Sequence, residues 1–237
     1  MARFPAGMLV LFVVSILIYF GLGQRVLDRM RLSDRAALAI IAAIIIGSFV
    51  DIPITPRLTI NLGGIIPVGV AVYVLAGAGT AFEKVRGILA AAVTAVVLYG
   101  AGRVLGAEPE NMLIDPLYVY PLVAGLVGYI AGRSRRGAFF AAVMGVFALD
   151  VIQYAYLIRT GTRGVVHMGG AGAFDALVLA GILAVLLAEG IGELLERIQG
   201  GPDTDDRSEA LLKHLREPEP SAVPARKPIQ EEDNRDE

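Results

Sequence analysis

The sequence predicts an all-α fold: a polytopic transmembrane helix bundle of about seven spans, with the N-terminus outside and the C-terminus cytoplasmic. Three observations predict it. Of the 237 residues, 55% are hydrophobic, and mean hydropathy is +0.64, more apolar surface than a soluble domain hides. Apolar runs of about 20 residues recur, the length that crosses roughly 30 Å of hydrocarbon. The alternation of a membrane barrel is missing, and in lipid each run must satisfy its own backbone hydrogen bonds, so the runs are helices.

The first apolar run, Met8–Leu22, is preceded only by Arg3 and followed by Gln24 and Arg25 rather than a small-residue cleavage pattern. It reads as a retained span and not a cleaved signal. The spans are expected at Pro5–Leu22, Ala36–Val50, Asn61–Ala78, Gly87–Leu105, Leu117–Ala131, Gly137–Ile158 and Gly169–Ile191. Pro53 and Pro56 close the second, and Pro116 and Pro121 stand at the mouth of the fifth. Orientation follows from loop cations. Arg25, Arg29, Arg31, Arg35, Lys84, Arg86, Arg133, Arg135 and Arg136 lie on one side, against Arg3, Arg57, Arg103, Arg159 and Arg163 on the other. The richer side is cytoplasmic.

The chain divides by composition into a bundle, residues 1–198, and a polar, largely disordered cytoplasmic tail, residues 199–237. The tail holds Pro202, Pro218, Pro220, Pro224 and Pro228, many acids and no aromatic residue, too little apolar surface to offset its ordering entropy. Ser208–Arg216 could form one short amphipathic helix through Leu211, Leu212 and Leu215. The alternative to a merely solvated tail is a segment that recruits a cytoplasmic partner.

A weak internal similarity links two hairpins. Tyr73-Val74-Leu75-Ala76-Gly77 leads to Arg86-Gly87 and an Ala-rich span ending at Tyr99. Tyr129-Ile130-Ala131-Gly132 leads to Arg136-Gly137 and a span reaching Tyr154. Spans three and four would then repeat as five and six, as in many carriers.

Chemistry is sparse. With no cysteine, disulfides, thiol catalysis and Cys-ligated metals are excluded. His167 and His214 are too far apart for a two-His motif. No phosphate-binding glycine loop, HExxH or GxSxG occurs. No metal, cofactor or nucleic-acid partner is expected. The partners expected are the lipid bilayer of the cell membrane and, if a wide path is needed, a second copy of the chain.

Carboxylates inside apolar segments cost several kcal/mol and are functional candidates by default. Asp150, Gln153 and Tyr154 fall at i, i+3 and i+4 on one face of the sixth span, expected to point into the bundle. A buried clamp between helices is the alternative. Asp175 follows Gly170 and Gly172 at a glycine-rich entrance to the seventh span, where dipole complementation is the plainer role. Asp150 lies about 12 Å before the end of its span and Asp175 about 9 Å into the next, so the two could meet at similar depth and share a proton. Asn61, Asp115 and Tyr120 also enter from the predicted outer side. A shared outward cavity explains the set, and so does ordinary capping. Gly128-x-x-x-Gly132 is a close-packing motif.

The residues Ile114-Asp115-Pro116, Ala124-Gly125, Gly132-Arg133-Ser134-Arg135-Arg136, Asp150 and Gly169–Asp175 resemble a family of bacterial and archaeal polytopic membrane proteins designated domain of unknown function sixteen-fourteen. The resemblance covers roughly residues 46–193 and spares the tail. It implies an integral membrane protein and no particular activity. A looser similarity is to presenilin-type intramembrane aspartyl proteases, which carry one catalytic aspartate on one span and another in Gly-x-Gly-Asp on the next. Here Gly170 to Asp175 contains two extra residues, Leu149 stands where that family has tyrosine before its aspartate, and no clear Pro-Ala-Leu segment follows.

Three functions remain open on this reading. The first is a carrier or channel for a cation, a proton or a small solute through a polar cavity. The second is an aspartyl-protease-like enzyme using Asp150 and Asp175. The third is a non-catalytic membrane scaffold.

Overall fold

A computed structural model describes residues 6–21, 23–104, 116–170 and 176–198. The chain divides into two units, Met1–Leu195 and Glu196–Glu237. The tail expected over residues 199–237 lies outside the described residues. The described residues are mostly helical and form, in order, α1 (Ala6–Tyr19), α2 (Gln24–Met30), α3 (Asp34–Gly47), β1 (Asp51–Thr55), β2 (Leu58–Asn61), α4 (Leu62–Ala76), α5 (Ala81–Val104), α6 (Pro116–Gly132), α7 (Arg135–Thr160), β3 (Val166–Met168) and α8 (Ala176–Ile198).

Helix starts follow capping chemistry. Ser33, Asn61 and Ser134 accept from Ala36, Gly64 and Gly137 backbone N–H groups and start α3, α4 and α7. Thr80 Oγ1 accepts from Glu83 N at 3.2 Å, so α5 begins six residues before the expected Gly87. Its first turn is charged, which hides it from hydropathy but not from a cap. The short α2 was not expected. It turns Leu27 and Met30 inward and closes the end of the bundle between α1 and α3.

α7 is the hub. Gly137, Ala138, Ala141, Ala142, Val143, Gly145 and Leu149 are all buried, and α4, α5 and α6 pack around it. Small residues set the spacing. A Cβ on Gly128 would meet Ala138 O and Ala142 N at 3.0 Å, and one on Gly132 would meet Ala138 N at 2.5 Å. The expected Gly128–Gly132 motif is thus the α6 side of the α6–α7 seam. On the far side, Gly181 of α8 abuts Phe139 and Val143.

The sorting of side chains is inverted relative to a protein in water. On α5, Ala90, Ala91, Thr94, Ala95 and Leu98 are buried while Phe82, Val85, Ile88, Leu89, Val93 and Val96 are exposed. Small residues inside and large aliphatics outside suit helix contact in lipid, whereas apolar patches of that extent are rare on soluble monomers. Two helical stretches, Ala81–Arg103 and Arg135–Thr160, are long and apolar enough to cross a membrane, and four shorter apolar ones accompany them.

The all-α expectation needs one correction. Asp51–Asn61 and Val166–Met168 form a three-stranded sheet in the order β1-β2-β3, β1 antiparallel and β2 parallel to its neighbour β3. β-Branched Ile52, Ile54, Thr55, Thr59 and Ile60 flank the Pro56–Arg57 turn. Pro53 is tolerated because β1 is an exposed edge strand. Leu58, Val166 and Met168 pack on Tyr154 and Leu157, so the last turns of α7 run beside the sheet.

At the opposite end, two arginines cap helices reciprocally. Arg86 Nε donates to Ala131 O at the end of α6 (2.9 Å), and Arg136 Nη1 donates to Gly77 O at the end of α4 (3.0 Å). Each satisfies a carbonyl that its helix leaves unpaired. Arg86→Gln and Arg136→Gln are each expected to lower stability by about 1–2 kcal/mol. The readout is the midpoint of heat-induced aggregation in detergent, with exposed Lys84→Gln as an unaffected control.

Candidate functional site

The polar groups of the sheet end converge on a joint between two strand–glycine–helix units. In one, β2 ends at Asn61 and runs through Gly63 and Gly64 into α4. In the other, β3 ends at Met168 and turns at Gly169 (φ 76°) and Gly170 (φ 52°). Those left-handed conformations favour glycine. The two units touch backbone to backbone, and a Cβ on Gly64 would run into the Gly169 peptide. Behind Gly63 lies α3, whose Ile44 O and Ser48 Oγ would each be 2.5 Å from a Cβ there.

Asn61 locks the first unit. It is 1% exposed. Its Oδ1 accepts from Gly64 N (3.1 Å), and its Nδ2 donates to Ser48 O (3.0 Å) and Asp51 Oδ1 (2.9 Å). One amide therefore ties the end of α3, the exposed β1 and the start of α4. Its capacity is spent on structure, so within the expected outer polar set Asn61 acts as a cap and clamp.

Asp150 ties in the hub helix. It is half-buried, and its Oδ2 accepts from Gly169 N at 3.3 Å. It stands fifteen residues beyond Arg135, about 22 Å along α7, and α4 spans about the same length from the joint to its far end. Asp150 thus sits level with the start of α4, where α7 continues beside α5 toward the sheet. Beyond it, Gln153 is exposed and Tyr154 is half-buried on the sheet, its hydroxyl 3.5 Å from Thr55 Oγ1. The three do not point into the bundle together: Tyr154 turns to the sheet and Gln153 to the outside.

Gly170 belongs to the described turn. Gly172, Asp175 and Asp115 lie outside the described residues, so the expected Asp150–Asp175 pair is placed only through Asp150 and through Ala176, the buried start of α8. Tyr120 is half-buried against α5, where a Cβ on Gly102 would meet its hydroxyl at 2.8 Å. His167 is exposed on β3 opposite Thr59.

Below the joint the bundle is apolar. A cavity of about 130 Å³ lies among α1, α2, α3, α4, α7 and α8. Leu11, Ile41, Pro67, Phe139, Val143 and Val178 represent its entirely apolar lining. Among the described residues the buried polar side chains are Asn61 and Thr94, and Thr94 Oγ1 donates to Ala90 O of its own helix.

Residues 41–187 match the family described as "Protein of unknown function (DUF1614)". The chain belongs to this family. The DUF1614 region opens within α3 and closes within α8, so it holds the joint, the sheet, Asp150 and both arginine caps, and leaves out α1, α2 and the tail. The family description names no activity. No curated protein and no solved structure matches the chain.

The reciprocal caps were not foreseen, although their signal was present. Ala76-Gly77 with Arg86-Gly87 and Ala131-Gly132 with Arg136-Gly137 are the segments that suggested a repeat, and in the fold each arginine serves the other hairpin. Pro67 and Pro121 likewise each fall five residues after the first residue of α4 and α6.

Proposed function

We propose that this DUF1614 protein is a seven-span carrier for a cation or proton in the cell membrane, with the sheet end outside and the arginine-rich end in the cytoplasm. The two helices long and apolar enough to cross a membrane, the four shorter apolar ones, the outward aliphatic faces and the excess of arginines at one end support a multi-span bundle in that orientation. The observation that carries the transport reading is Asp150, a half-buried carboxylate on the hub helix beside two breaks between strand and helix. Carriers place binding groups at such discontinuities, between repeated halves. The reciprocal arginine caps support the repeat.

A carrier fits better than an open channel. Between Gly137 and Leu149 the hub helix is buried among apolar and small side chains, a barrier that only a change of packing would open. Asp150 would take the ion or proton at the level of the joint, and the glycine joint, with no side chains between the two units, would let the starts of α4 and α8 move against α7. Asp150 accepting from Gly169 N also favours a second reading, a scaffold in which the carboxylate only clamps the turn. The protease reading depends on Asp175, for which there is no geometry.

Asp150→Asn separates the two, because asparagine keeps an acceptor for Gly169 N and loses the charge. In proteoliposomes with an imposed gradient, wild type should move H⁺, Na⁺ or K⁺, read with ion-sensitive dyes. Asp150→Asn should fall to the level of empty vesicles with unchanged thermal stability. Wild-type vesicles no leakier than empty ones to all three ions would sink the carrier and leave the clamp.

A further inference from the structure

A groove between α3 and α4 opens to the outside of the bundle at its arginine-rich end. Its volume is about 680 Å³. Ala36 and Ile40 form one wall, and Ile66, Val70 and Tyr73 the other. The wall positions on α4 recur every three or four residues, so they share one helix face. Gly69 leaves the floor open, since a Cβ there would meet nothing within 4 Å. Arg31 and Ser33 stand at the mouth.

Arg31 is the unusual residue. It ends α2 in the left-handed conformation (φ 57°, ψ 38°), held by its N–H donating to Asp28 O and Leu27 O. That region costs a residue with a side chain free energy that glycine escapes. The guanidinium makes no ion pair or hydrogen bond with a described residue, and its stem passes 3.6 Å from the Cβ position of Gly77 at the end of α4. Exposed Arg35 is one turn along. Tyr73 stands about one turn before the end of α4, the level at which tyrosines sit in a membrane interface.

We propose that this groove is a binding site for one anionic phospholipid of the cytoplasmic leaflet. An acyl chain lies along Ile40, Ile66 and the open face of Gly69, and the phosphate-bearing headgroup meets Arg31, with Arg35 and the Tyr73 hydroxyl beside it. Charge complementarity selects the occupant: the walls are apolar and face the surroundings of the bundle, and the mouth is cationic. The left-handed backbone of Arg31 is a helix C-cap, as at Arg133 (φ 55°), and it aims a guanidinium unpaired among the described residues at the mouth of the groove. This inference rests on the membrane reading above.

Two variants test it. Arg31→Gly removes the cation and relieves the backbone, so it should fold at least as well as wild type. Gly69→Leu fills the groove from a position whose Cβ meets nothing within 4 Å. Delipidated protein in detergent is titrated with phosphatidylglycerol or phosphatidylcholine and followed by native mass spectrometry. Wild type should hold one phosphatidylglycerol more tightly than phosphatidylcholine. Arg31→Gly should weaken phosphatidylglycerol by about fivefold, the weight of one basic residue at an anionic surface, and leave phosphatidylcholine unchanged. Gly69→Leu should abolish the bound adduct of both lipids. Equal affinity of wild type for the two lipids overturns the proposal, as does unchanged phosphatidylglycerol binding in Arg31→Gly. Failure of the membrane reading would show separately, as release of the protein from membranes by alkaline carbonate.

Discussion

Gly64→Ala should lower the stability of the bundle by about 3 kcal/mol or more, near the top of the range for overpacking. The added methyl is directed at the Gly169 peptide, and backbone cannot rotate aside as a side chain can. To admit it, the β3 turn must lift from the start of α4, which also breaks the Gly169 N to Asp150 Oδ2 bond and loosens the parallel pairing of β2 with β3. Gly63→Ala should behave similarly, since its methyl meets Ile44 O and Ser48 Oγ. Gly69→Ala, in the same helix with open space at its Cβ, should instead be neutral or stabilising by up to about 1 kcal/mol through its gain in helix propensity. Thermal aggregation midpoints in one detergent separate the three. Equal midpoints for Gly64→Ala and Gly69→Ala would mean that the two units are not in contact.

Asn61→Ala is expected to cost about 3 kcal/mol, the sum of a lost N-cap and two lost donor contacts at a buried position. The side chain has no access to water that could replace them. The order of replacements is diagnostic. Asn61→Ser keeps an acceptor for Gly64 N and should recover about 1 kcal/mol of the loss. Asn61→Asp keeps the same acceptor but sets a second carboxylate against Asp51 and against the carbonyl of Ser48, so it should be no better than serine. If aspartate matched asparagine, the cap alone would matter and the link to β1 would be idle. Both predictions concern the platform that positions Asp150, and neither requires the protein to transport anything.

Much of the helical architecture was legible because long apolar runs without turn residues favour helices. Each of the seven expected spans has a counterpart helix. The misjudged parts are those where another force decides. α5 starts at Ala81 because Thr80 caps it, although Glu83, Lys84 and Arg86 end the apolar run. The strands are only three to five residues long, too short for periodicity to register, and what pairs β2 with β3 is the parallel departure of α4 and α8 from one end. α2 is too short to announce itself. Asp150 is the carboxylate of the apolar hub helix, but its surroundings are set by the sheet end, where α4 starts and the Gly169 turn meets it. Of the two readings the sequence leaves open for Asn61, cavity or cap, the cap on Gly64 N is what the fold shows. Its contacts to Ser48 and Asp51 follow from the hairpin, which hydropathy does not see.

The central claim, a bundle that crosses the membrane with its sheet outside and its arginine-rich turns inside, can be tested directly because the chain has no cysteine. Single cysteines replace exposed Thr162, beside the sheet, and exposed Lys84, at the arginine-rich end. Intact cells, or spheroplasts where an outer envelope intervenes, are treated with a membrane-impermeant maleimide before and after permeabilisation. The account predicts that Thr162→Cys labels at once and Lys84→Cys only after permeabilisation. Labelling of both from the same side, or the reverse pattern, would contradict it.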